Sequence, residues 1–179
     1  MKRLQWAFLL ILGLGLFAAC TTPPITVSLA DVSFDLAAVN TLGVVVFPRQ
    51  PVEVESPPPA TQVASVTVQG FAKLDQPATV EFKVFAADVD PGALGCTLEP
   101  FTNNFYLCWE DTAGIEQVGS IDFNNTAGPV PFRLAGGTLA RGINKNSLYL
   151  GLGIGREGTL PNTLTLYDMT ATLRLSLGR

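Results

Sequence analysis

The chain has 179 residues, 15% of them charged, a formal charge of −4 and no histidine. The missing imidazole removes histidine-based triads, the common zinc sites and imidazole acid–base chemistry, and the acidic balance argues against nucleic acid as a partner. The length predicts one domain with a sizeable core.

At the N-terminus, Lys2 and Arg3 precede twelve uncharged, mostly apolar residues from Trp6 to Phe17, and small Ala18 and Ala19 lead into Cys20. A membrane-crossing helix needs roughly 20 apolar residues, so this run is too short for a settled anchor. Positive end, short apolar core and small residues are the layout of a cleaved secretory signal. The segment Leu16-Phe17-Ala18-Ala19-Cys20 resembles the lipobox of bacterial lipoproteins, with Phe17 where leucine is usual. That resemblance implies a signal peptide over residues 1–19 that is removed, acylation of Cys20 with palmitate-type chains, a lipidated tether over 20–24 and a domain over 25–179. It also implies an extracytoplasmic place on a bacterial membrane, with Thr21 after the cysteine favouring the outer membrane in a two-membrane envelope. Each buried CH₂ contributes about 0.8 kcal/mol, so two or more chains hold stably. Losing Lys2 and Arg3 moves the formal charge from −4 to −6, and contact with the membrane runs through the lipid.

Beyond the tether, the pattern predicts strands over 25–36, 43–46, 63–74, 79–86, 104–110, 115–123, 130–134, 148–154 and 163–177. Alternation is cleanest where Val80, Phe82, Val84 and Ala86 interleave with Glu81 and Lys83, and where Leu148, Leu150, Leu152 and Ile154 interleave with Tyr149, Gly151 and Gly153. Turn clusters such as Asp90-Pro91-Gly92, Asn124-Asn125 and Gly136-Gly137 separate the strands. No window shows a helical period with caps. The proline-rich stretch from Pro48 to Pro59 reads as a long loop. Nine strands without intervening helices predict an all-β fold, a single β-sandwich of jelly-roll type.

Two segments echo each other. Residues 26–36 and 163–173 align without a gap, each alternating, changing phase at an aspartate (Asp31, Asp168) and resuming. A phase change inside a strand is what a β-bulge produces. The first and last strands are therefore expected to bend alike, as neighbours closing the sandwich.

Few constellations carry chemistry. Cys96 and Cys108 remain after Cys20, and in an exported chain they predict one disulfide. Glu110 and Asp111 are adjacent, so on a strand they face opposite ways and make a poor glycosidase pair. The run Gly153-Ile154-Gly155-Arg156-Glu157-Gly158 matches a dinucleotide fingerprint but no helix follows it. Gly151, Gly153 and Gly155 read instead as one flat strand face that something approaches closely. Asp88 and Asp90 are weak candidates for a calcium site, to which Asp31 or Asp168 would have to contribute. No other cofactor is expected.

The most distinctive segment runs from Cys96 to Asp111. Phe101, Phe105, Tyr106 and Trp109 fall within nine residues, beside Asn103 and Asn104. The alternation of Phe105, Leu107 and Trp109 predicts an inward face, with Tyr106 opposite. Phe101, Asn103, Asn104 and Tyr106 would then be the ligand-binding candidates. The leading expectation is a non-catalytic binding or scaffolding domain on a lipid anchor, its partner an envelope protein or polysaccharide. A carbohydrate-binding module using residues 101–109 is the alternative, and a carboxylate-based enzyme comes third.

Overall fold

The computed structural model describes residues 23–36, 43–54, 62–100, 103–156 and 162–176. Among the described residues the strands are β1 (Ile25–Ser28), β2 (Val32–Asp35), β3 (Val44–Pro48), β4 (Gln62–Leu74), β5 (Ala78–Ala87), β6 (Thr97–Leu98), β7 (Phe105–Trp109), β8 (Ile115–Thr126), β9 (Val130–Ala135), β10 (Tyr149–Arg156) and β11 (Thr163–Ser176), with one α-helix, α1 (Gly137–Lys145). One sheet runs β1-β11-β4-β9, with β2 also on β11; the other runs β6-β7-β3-β10-β5-β8. Without the β6–β7 insertion, the chain passes from the β1/β2 edge to β3, β4 and β5, turns to β8, then passes to β9, β10 and β11. It changes sheet at every step but the β5–β8 turn. That is the double Greek key of a jelly roll, and the single all-β sandwich expected from the turn spacing is what the chain builds.

Alternation decides which side chains meet between the sheets. Val80, Phe82 and Val84 point inward from β5, Leu150, Leu152 and Ile154 from β10, and Val66, Val68, Ala72 and Leu74 from β4. Phe34, Phe82 and Phe123 are fully buried, and the rings of Phe82 and Phe123 meet edge-on at 6.2 Å. Each such burial contributes about 1.5–3 kcal/mol.

The echo between 26–36 and 163–173 has a structural basis. β11 pairs antiparallel with β1 through Ile25↔Leu173 to Ser28↔Thr170, and with β2 through Val32↔Leu166 to Asp35↔Thr163. Buried positions change phase on both sides of the break: Val27 and Leu29 give way to Val32 and Phe34, and Leu164 and Leu166 to Met169 and Ala171. Asp168 sits at φ +50°, and its backbone N–H donates to the Asp31 carboxylate at 3.3 Å.

A second apolar layer covers the outer face of the larger sheet, where Val45, Phe47, Phe85, Ala87, Cys108 and Tyr149 are buried. A 3₁₀ turn at Pro91–Leu94 and the disulfide lie in the segment that closes over it. The glycines of β10 make room: a Cβ on Gly151 would lie 2.6 Å from the Phe47 ring, and one on Gly153 would lie 3.2 Å from that of Phe85. The flat face is structural, as its spacing suggested.

α1 corrects the expectation that no helix forms. It is only nine residues long, and its N-cap, Gly136, makes no side-chain cap bond. The cap comes from β8 instead: Glu116 accepts from the backbone N–H of Thr138 at 2.7 Å and of Gly137 at 3.3 Å. A carboxylate at a helix N-terminus also complements the dipole. Leu139 and Ile143, one turn apart, bury against the core. The Asn144 amide accepts from Val63 N–H at 2.9 Å and donates to Val63 C=O at 3.0 Å. It supplies the missing rung where β9 no longer covers β4.

Candidate functional site

The 96–109 segment is built for packing. Cys96 and Cys108 are disulfide-bonded with Cα atoms 4.7 Å apart. Phe105 and Leu107 pack on the main core, Tyr106 on the outer layer. The Tyr106 ring covers Gly92, where a Cβ would meet it at 3.0 Å. Asn103 is exposed at φ +55° and donates its N–H to Glu99 C=O at 3.2 Å; Asn104 is exposed, and its carbonyl accepts from Arg49 N–H at 2.9 Å. Phe101 and Cys20 lie outside the described residues. Trp109 overturns the inward expectation, since it is 65% exposed. It continues the parity of Phe105 and Leu107 but pairs with Val44, the first residue of β3, and so projects past the rim of the core.

The calcium candidates have structural partners. The Asp88 carboxylate accepts from Lys145 at 2.7 Å and from Arg141 at 3.1 Å, both on α1. Burial pushes that carboxyl up, but the hydrogen bonds and charges of Lys145 and Arg141 outweigh it and hold it below the ordinary value. Asp90 caps the 3₁₀ turn by accepting from Gly92 N–H at 2.7 Å. Asp31 and Asp168 belong to the other sheet, at the β1–β2 break. Among the described residues, no three acids, histidines or cysteines converge as metal ligands. Glu110 bonds Lys83 at 2.8 Å.

A concave feature lies elsewhere, on the outer face of the smaller sheet. A groove of about 470 Å³ lies across β9, β4 and β11, lined by Gln69, Phe71, Pro131, Arg133, Asp168 and Thr170, with Gly70 and Phe132 beneath. Its origin is the bulge. Tyr167 pairs with Phe71 and Thr170 with Gln69, so two residues of β11 face Gly70 alone. A Cβ on Gly70 would lie 3.0 Å from both Tyr167 C=O and the Phe132 ring, so a side chain there would force its neighbours to give and glycine suits this close approach. Bulges recur beside binding sites because they re-aim side chains.

The walls differ in character. Phe71 is 41% exposed, and its ring lies 6.0 Å from that of Tyr167 with a 33° tilt. The Lys73 ammonium sits 5.1 Å over Tyr167, which steadies this aromatic edge. Arg133 stands on the β9 side and Asp168 on the β11 side, with β4 between. At about 4.8 Å per strand, their strands lie about 10 Å apart. Neither charged group has a hydrogen-bond or ion-pair partner among the described residues.

Of these residues the sequence flagged Asp168 alone, through its phase change. Phe71 and Gly70 were legible in principle as an aromatic on the wet phase of β4 beside a mid-strand glycine. Arg133 carries no sequence signal. No protein-family model matches the chain, and no characterised protein is detectably similar to it in sequence.

Proposed function

We propose that the chain is an exported lipoprotein, anchored through Cys20, whose jelly roll is a non-catalytic module that binds glycan in the groove over the β11 bulge. One observation carries the binding reading: the exposed Phe71 ring is flanked on a rigid sheet by an amide (Gln69), a hydroxyl (Thr170), a carboxylate (Asp168) and a guanidinium (Arg133). An aromatic surface with a few convergent polar groups is the ordinary make-up of a ligand site, and a pyranose offers an apolar face ringed by hydroxyls. Groups fixed on strands lose little entropy on binding. Asp88 is paired with Lys145 and Arg141, Glu110 bonds Lys83 and Asp90 caps the 3₁₀ turn, structural roles that favour a non-catalytic reading.

Trp109 favours a second reading, a protein partner. β1 starts where β4 begins and β11 ends, through Ile25↔Leu173 and Ser176↔Gln62. Trp109 stands at the opposite end, beside Val44. On a lipid tether at residues 20–24, that exposed indole would face away from the membrane.

A broad glycan array probed with the purified lipoprotein tests the leading reading. Saturable binding to a defined set of glycans supports it. A blank array, with Trp109→Ala abolishing capture of an envelope protein, would favour the second.

A further inference from the structure

We infer that the glycan taken by this groove is acidic, with a sugar carboxylate on Arg133 and ring hydroxyls on Asp168 and Thr170; this rests on the glycan reading above. The groove is polarised across its width, with a guanidinium on the β9 side and a carboxylate on the β11 side. These two charges, on strands about 10 Å apart, do not neutralise each other. Lys83 is engaged with Glu110, Arg141 and Lys145 with Asp88, and Lys73 over the Tyr167 ring, while Arg49 and Arg174 do not line the groove. Arg133 is left with its planar fork of donors unfilled, the geometry that matches a carboxylate bidentately.

On the opposite wall, Asp168 is acceptor-only when ionised. It would repel a second anion and favour hydroxyl donors, which Thr170 beside it can also bond. Between the walls, Phe71 offers a ring face and Gln69 an amide. A hexuronate residue has this pattern: a carboxylate at one edge, hydroxyls at the other and a C–H face between. A neutral hexose would leave the guanidinium without its ionic partner, and an acidic peptide would waste the ring.

The test is titration calorimetry on the acylated protein in detergent micelles. The probes are oligomers of galacturonate, glucuronate, mannuronate and guluronate, each beside its carboxyl-reduced neutral counterpart, with poly-glutamate as a non-sugar acid. The inference expects at least one uronate oligomer to bind about tenfold or more tightly than its reduced counterpart. Arg133→Gln should erase that difference, bringing the acidic oligomer down to no more than the affinity of its reduced counterpart. Phe71→Ala should weaken both. Equal affinity for the acidic and reduced oligomers, a preference that survives Arg133→Gln, or poly-glutamate binding as well as the uronates would overturn the acidic-sugar inference and leave the glycan reading standing. Binding of no oligomer would overturn the acidic-sugar inference, the glycan reading then resting on the array, and binding indifferent to Phe71→Ala would overturn both.

Discussion

Asp168 donates its backbone N–H to the carboxylate of Asp31 across the break between the first two strands. Two segments of similar sequence thus meet antiparallel at their matching aspartates. The same irregularity lets β11 serve β1 and β2 in turn and opens the groove on the sheet's outer face.

Asp168 holds φ at +50°, a region where asparagine, aspartate and glycine are at ease and β-branched residues are strained. Asp168→Gly should therefore change stability by less than about 0.5 kcal/mol, whereas Asp168→Val should cost about 1–2 kcal/mol. Urea denaturation of the two variants checks the difference.

Acid should weaken the end of the sandwich closed by α1. Hydrogen bonds from Thr138 and Gly137 hold the Glu116 carboxyl below its ordinary value of 4.5, and Lys145 and Arg141 hold that of Asp88 below 3.8 despite burial. Lowered carboxylates lend stability that is full above those ordinary values and is lost as pH falls through the folded ones. Asp88→Asn should cost about 1–3 kcal/mol at neutral pH and flatten the loss of stability below pH 4. Unfolding free energy measured against pH for wild type and variant reads both effects.

Most of the fold was legible because period-2 alternation and turn residues are local signals. Strands such as 78–87 and 149–156 follow directly from them, and the phase change at Asp31 and Asp168 located the bulge. α1 was hidden because its N-terminal cap is Glu116, 21 residues away in sequence, while Gly136 and Gly137 read as a turn. Trp109 was misread because alternation gives the face of a strand and not where the opposing sheet stops. The groove was illegible as a site, since Arg133, Phe71 and Asp168 come from three strands whose adjacency is a tertiary fact.

Within the 105–109 strand, burial reverses the order of importance expected from alternation. Trp109→Ala should change stability by less than about 0.5 kcal/mol. Tyr106→Ala, which uncovers Gly92 and the layer around Cys108, should cost about 1–3 kcal/mol. Thermal unfolding of the two variants distinguishes them.

Gly151 lies under the Phe47 ring, so Gly151→Ala should cost about 1–3 kcal/mol through overpacking. Trimming the ring with Phe47→Leu in the same chain should recover part of that loss. A double-mutant cycle on unfolding free energies measures the coupling.

The most direct measurement is retention of the acylated protein on the array glycan it prefers, compared among wild type, Tyr106→Ala and Phe71→Ala, with folding of each monitored by melting. The account predicts retention by wild type and by folded Tyr106→Ala, and its loss in Phe71→Ala at an unchanged melting temperature. Retention by Phe71→Ala, with loss in a still-folded Tyr106→Ala, would contradict it and move the binding surface back to the disulfide-stapled segment.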